Sequence, residues 1–195
     1  RMGKIKKLVG SEFLKLKGTW IFWIHLGVPV AGAGLFLLYG VAAKREWQSV
    51  LEFYAETLAI VYPSVSAIIC MQSVMQELKA GNFQNLLCVS TLRWSATLRK
   101  ILTLWILGLA ASLLAFLLFG MGVWGTKAAW NLSVKEYLIC GLILWITQAG
   151  IYLLHFFLAM RFGSGACLAA GVTQSLIAAL LFTGLGDGLW MWFPC

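Results

Sequence analysis

The chain has 195 residues, 61% of them hydrophobic and only 11% charged, with a formal net charge of +8. Soluble domains carry about a quarter charged residues, so this composition excludes a separate soluble domain and points to an integral membrane protein. The positive balance then belongs to loops on one side of a bilayer rather than to nucleic-acid contact. The five cysteines, at 70, 88, 140, 167 and 195, have neither metal-ligand nor redox spacing.

Residues 1–17 are basic and amphipathic. Ile5, Leu8, Val9, Phe13 and Leu16 follow helical spacing on one face, and Lys4, Lys6, Lys7, Lys15 and Lys17 occupy the others. Such a segment is expected to lie as an interfacial helix on anionic lipid. A first span is expected over 20–39, with Trp20 and Trp23 at one membrane interface, Tyr39 at the other and a kink at Pro29. His25 has no second His or carboxylate near it in sequence and reads as a packed or solvated imidazole.

Residues 44–56 read as a short mixed-charge outer loop, with Trp47, Leu51 and Tyr54 on one side of a possible short helix. A second span is expected over 57–75. It carries Pro63 and four polar residues, Ser64, Ser66, Gln72 and Ser73. Polar groups inside a span face other helices or a water-filled path, and both roles stand open for these.

The longest break between apolar runs follows, over 76–97. It holds Glu77, the Gly81-Asn82 turn, an amphipathic patch of Phe83, Leu86 and Leu87, the pair Ser90-Thr91, and Arg93. A third span is expected over 98–124, opening with Arg99 and Lys100. A fourth is expected over 137–160. In it Gln148, Tyr152 and His155 recur at i, i+4 and i+7 and so share a face; a structural polar contact is expected there rather than a proton relay, since no acid falls within the span. A fifth is expected over 162–185, with Gly163, Cys167, Gly171 and Ser175 as a small-residue stripe for close helix packing. Gln174 beside it is the most polar residue near mid-span. With the N-terminus inside, inner segments carry 11 Lys and Arg and outer segments 4, an asymmetry that predicts a cytoplasmic N-terminus.

No expected span contains Asp or Glu, which argues against a carboxylate-based proton-coupled transporter. The chain has no H-E-x-x-H, G-x-S-x-G or P-loop motif. An active site of its own is therefore not expected, and neither is a metal or other bound cofactor.

Four features resemble the membrane subunit of a type 2 exporter of the ABC class. They are the basic start KIKKLVGSEFLKLKGTWIFWIHLGVP, the acid-containing loop QELKAGNFQNLL after span 2, the return STLRWSATLRK, and the Gly-rich late helices. The start through Phe36-Leu37-Leu38-Tyr39 and the loop through Lys100 are similar to permeases of lantibiotic-protection ABC exporters of Gram-positive bacteria. The resemblance implies an all-α membrane protein: an N-terminal interfacial helix plus five transmembrane helices in one permease domain over 1–195, located in the plasma membrane. It also implies a sixth span beyond residue 195, since such permeases usually have six.

The loop after span 2 would be the coupling element that docks on an ATPase. On this sequence Glu77 and Gly81 match the acid and glycine before its helix, which would span 82–90 (Asn82 to Ser90, with Phe83, Leu86 and Leu87), and Arg93 and Lys100 match the basic return. The partners implied are an ABC ATPase carrying ATP and Mg, a second permease alike or different, membrane lipid and an amphipathic peptide cargo. Ser66, Gln72, Ser73, Gln174 and Ser175 are the candidate lining of the cargo path. A stand-alone immunity or sensor protein that binds a peptide without transport is the main rival; it would not need the 77–90 surface.

Overall fold

The computed structural model describes residues 19–79, 81, 93–126 and 132–185. The expected interfacial helix at 1–17 and the expected coupling helix at 82–90 lie outside them.

The described chain is a bundle of helices with no strand among the described residues. Helix α1 spans Trp20–Ala43, α2 Trp47–Lys79, α3 Arg93–Gly125, α4 Val134–Thr147, α5 Ala149–Phe162 and α6 Ser164–Leu180, and a π-helical turn follows at Leu181–Leu185. Among the described residues, five segments are long and apolar enough to cross a membrane: Trp20–Ala43, Trp47–Lys79, Thr97–Gly125, Val134–Phe162 and Ser164–Thr183. The chain is thus an all-helical, multi-pass membrane protein.

Three boundaries differ from the sequence reading. Of the two readings of 44–56, a loop or a short amphipathic helix, the helix holds from Trp47 on, and it is continuous with span 2 instead of separate from it. The chain reverses within three residues, with Lys44 in the left-handed conformation (φ 49°) donating its N–H to Gly40. Helix α2 then begins at Trp47. The charges at Glu52 and Glu56 face outward, while Val50, Leu51 and Tyr54 are buried. Helical spacing of apolar groups outweighs the local charge. At about 1.5 Å per residue, the 33 residues of α2 and of α3 reach about 50 Å, well beyond a hydrocarbon core of about 30 Å.

The second difference is in span 4, which is two helices. Gln148 (φ −85°, ψ −4°) is a one-residue interruption between α4 and α5, and the two halves have different neighbours. Helix α4 packs mainly on α3, whereas α5 packs on α2 and α6. Thirdly, Gly163 lies in the turn before α6 at φ 89°, with open space where a Cβ would stand. A side chain is strained in that conformation, so Gly163 serves the turn and not the packing stripe expected of it.

Two clusters of buried side chains hold the bundle. One gathers Tyr54, Phe116, Phe119, Val123 and Tyr137 at the end where α1 turns into α2; Tyr54 stacks on Phe119 with ring centroids 5.1 Å apart and donates its hydroxyl to the Ala115 carbonyl at 3.3 Å. The other gathers Ile21, Ile69, Cys70, Leu104, Tyr152 and Phe156 towards the opposite end. Between α3 and α4, Trp105 and Trp145 stack at 4.0 Å, and each indole N–H donates to the other residue's carbonyl, at 3.2 and 2.7 Å. At the start of α4 the Glu136 carboxylate accepts from the Ser133 N–H at 2.6 Å and its hydroxyl at 2.9 Å, an N-terminal capping arrangement.

Candidate functional site

Two places gather polar side chains that the apolar bundle would otherwise exclude. The first is the foot of α2 and α3, where both helices run into the 80–92 segment. Glu77, in the last turn of α2, and Lys100, two turns into α3, form a buried ion pair between Lys100 Nζ and Glu77 Oε1. Their side chains are 11% and 7% exposed. A buried carboxylate or ammonium is costly unless it is paired, so the pair fixes the spacing of the two helix ends. Gly81, just past α2, has φ 129°, a conformation that favours glycine and turns the chain sharply out of the helix. Of the residues expected to couple to a partner, the structure therefore brings Glu77 and Lys100 together across 23 positions and puts Gly81 at the exit turn. Arg93 is the first residue of α3. Asn82, Phe83, Leu86, Leu87 and Ser90 lie outside the described residues.

The second place is a polar seam where α2, α5 and α6 meet. His155 stands at its centre and is fully buried. Its Nε2–H donates to Gln174 Oε1 at 2.8 Å, and its Nδ1 lies 2.8 Å from Ser66 Oγ. An amide oxygen only accepts, so Nε2 carries the proton, and in the neutral ring Nδ1 accepts from Ser66. The one Ser66 proton is shared with the Pro63 carbonyl at 2.9 Å. Two residues before Ser66, Ser64 donates its N–H to Ser175 Oγ at 3.1 Å and its hydroxyl to the same atom at 2.8 Å. Pro63 has no N–H to give the α2 ladder, and the two serines bridge the helices beside that gap.

Close approach makes these bonds reachable. A Cβ on Gly171 would stand 2.9 Å from the Pro63 carbonyl and would also run into Ala67, so only glycine lets α6 sit this near α2. Cys167, one turn earlier, is buried and donates its thiol to the carbonyls of Ala67 at 3.4 Å and His155 at 3.3 Å. The Cys167, Gly171 and Ser175 part of the expected stripe thus lies on the α2 side of α6.

Of the five residues expected to line a path, Ser66, Gln174 and Ser175 are tied into this seam. Ser73 is fully buried and its hydroxyl has no partner among the described residues; Gln72 is half-buried. In this conformation Ser66, Gln174 and Ser175 hold helices together, the first of the two roles open to them. The shared face of Gln148, Tyr152 and His155 is present, with all three buried. The hub role of His155 and the part of Ser64 were not legible as such. Their signal was Pro63-Ser64 facing a stripe that contains Gly171 and Ser175. Among the described residues no group of His, Cys, Asp and Glu is placed to hold a metal ion.

Residues 8–186 match the family described as ABC-2 family transporter protein. No curated protein and no solved structure matches the chain. Permeases of this family generally work with an ABC ATPase and a second permease. With nearly its whole length matched, and five segments able to cross a membrane, the chain belongs to the ABC-2 transporter family and is a membrane-spanning permease subunit of an ABC exporter.

Proposed function

We propose that this permease pairs with a second permease subunit in the plasma membrane of a Gram-positive bacterium, docks an ABC ATPase through the 76–97 segment, and expels lantibiotic or similar amphipathic peptides for self-protection. The observation that carries the docking part is the buried Glu77–Lys100 pair. It makes the feet of α2 and α3 one unit, so a push on the segment between them is passed to both helices together. Phe83, Leu86 and Leu87 would bury against a groove of the ATPase, and ATP and Mg would be held by that partner chain.

The seam is the complementary part. Helices α2 and α6 are joined there by hydrogen bonds between neutral groups, each of which has a modest net worth of about 1 kcal/mol. A conformational change driven by ATP can part such bonds, and in the parted state Ser66, Gln72, Ser73, Gln174 and Ser175 would face a path with polar character. The cargo class rests on the resemblance of the start and of the 77–100 segment to lantibiotic-protection permeases.

The test uses the full-length protein co-expressed with the ATPase encoded beside it. Phe83→Asp with Leu86→Asp is expected to abolish co-purification of the ATPase and the cells' tolerance of the peptide, with membrane insertion unchanged. If tolerance survives the substitutions and no ATPase associates with the wild type, the exporter mechanism is overturned for this chain in favour of peptide binding without transport.

A further inference from the structure

The hydrogen bonds around His155 have one hydrogen too few. Ser66 Oγ lies 2.8 Å from His155 Nδ1 and 2.9 Å from the Pro63 carbonyl, and its single hydrogen serves one of them at a time. When that hydrogen turns to Pro63, Nδ1 is left with a free lone pair. On its other side the ring stays anchored, because Nε2–H donates to Gln174 whatever Nδ1 does. A second proton therefore has a place to go, on Nδ1. The seam is not sealed either. Ser64, Gln174 and Ser175 are half-buried, so the fully buried ring is bonded to a residue that is partly exposed.

What the closed seam lacks is a counter-charge. The titratable groups around the ring are Tyr62 and Cys70 from α2, Tyr152 from α5 and Cys167 from α6, residue types that are neutral at physiological pH. Helix α6 carries no charged residue. On α2 the nearest acids, Glu56 and Glu77, lie about 15 Å or more along the helix from Ser66, and Glu77 is already paired with Lys100. The charges of α3 are Arg93, Arg99 and Lys100 at its foot, and those of α4 are Lys135 and Glu136 in its first turn. Arg161, in the last turn of α5, is a further cation. A charge buried without a counter-charge is costly even when it is hydrogen-bonded. The closed seam thus holds a neutral imidazole, and water entering a parted seam removes that cost.

We infer that His155 Nδ1 is a proton-binding site of the parted seam, so that acid favours the separation of α2 from α5 and α6. This rests on the reading given above that the seam parts; it adds the ligand, a proton taken from water, and the sign of its effect. The closed seam binds no proton at Nδ1 and the parted seam binds one. The parted population therefore grows as pH falls through the range where an imidazole in water titrates, at about pH 6.5. Ser66 gives its hydrogen to Pro63 as Nδ1 takes up the proton, so no hydroxyl on the α2 side is left without an acceptor.

Cys167 reports on the seam from inside it, since its buried thiol donates to the carbonyls of Ala67 and His155. The experiment uses the full-length protein in lipid nanodiscs without any ATPase, with Cys70, Cys88, Cys140 and Cys195 replaced by Ala. A water-soluble methanethiosulfonate is the probe, and glutathione in the same sample cancels the ordinary dependence of thiol reactivity on pH. The rate at Cys167 relative to glutathione is expected to rise about tenfold between about pH 7.5 and 5.5, as uptake of one proton by an exposed imidazole requires. His155→Gln keeps a polar side chain but takes no proton, and should leave the ratio flat. His25→Gln, at the other of the two histidines, should keep the rise. A ratio that is flat with His155 present while Cys167 still reacts, a rise that survives His155→Gln, or a rise that His25→Gln removes overturns the proton site and leaves the parting of the seam intact. Cys167 that reacts at no pH overturns the parting itself, and the proton site with it.

Discussion

Glu77 and Lys100 come from opposite sides of the polar 80–92 segment and meet as a buried ion pair that joins the last turn of α2 to α3. Removing one partner leaves the other charge buried without compensation, which costs about 3–5 kcal/mol. Glu77→Gln and Lys100→Met are each expected to lower the melting temperature of the detergent-solubilised protein strongly. The double variant Glu77→Gln/Lys100→Met leaves no naked charge and should recover most of the loss. A double variant as unstable as the singles would mean that the pair does not carry this junction.

The His155–Gln174 bond joins α5 to α6 at the seam. Hydrogen bonds between helices in a membrane couple by about 0.6 kcal/mol on average, with an upper end near 1.7. Because His155 also engages Ser66, the coupling is expected in the upper part of that range. A double-mutant cycle with His155→Leu and Gln174→Leu, followed by unfolding in mixed micelles, measures it. Strict additivity would remove the bond from the energetics of the seam.

Gly171 and Gly150 make opposite predictions on neighbouring helices. Gly171→Leu has no room against Pro63 and Ala67, and overpacking of this kind costs about 1–3 kcal/mol. Nothing lies within 4 Å of where a Cβ on Gly150 would stand, so Gly150→Leu should leave the melting temperature nearly unchanged. Equal effects at the two positions would contradict the close α2–α6 approach.

Gln148 is fully buried, and neither of its side-chain polar atoms has a partner among the described residues. Replacing it with Leu, of similar size, removes an unpaired amide whose burial costs about 1–3 kcal/mol. Gln148→Leu is therefore expected to raise the melting temperature, while the helix signal in circular dichroism stays constant. A fall in stability would show that the amide is satisfied, for instance by an ordered water.

The five spans were legible because apolar runs of bilayer length have few soluble alternatives. Their edges were less so. Glu46, Glu52 and Glu56 set 44–56 apart from span 2, and the helical spacing of Trp47, Leu51 and Tyr54 was legible, but not that this helix runs on without a break into span 2. The break at Gln148 carries no Pro or turn Gly on which to read it; it follows from span 4 having to serve two partners, α3 at one end and α2 with α6 at the other. Glu77 and Lys100 were each legible as belonging to the candidate coupling element, but their pairing depends on how α2 and α3 lie side by side, which periodicity along one helix does not report. The small-residue spacing at Cys167, Gly171 and Ser175 predicted close packing in α6. It left open which helix approaches; the structure shows that it is α2, at Pro63 and Ala67.

The reciprocal Trp105–Trp145 clasp gives the molecule an optical gauge of its own. Two indoles stacked this closely share their excited state, so they absorb and emit as a coupled dimer rather than as two independent chromophores. The coupling falls steeply with separation and changes with the tilt between the rings. Any motion that slides α3 along α4 would therefore be written into the exciton signal of a single ring pair, readable in the unlabelled protein while it works.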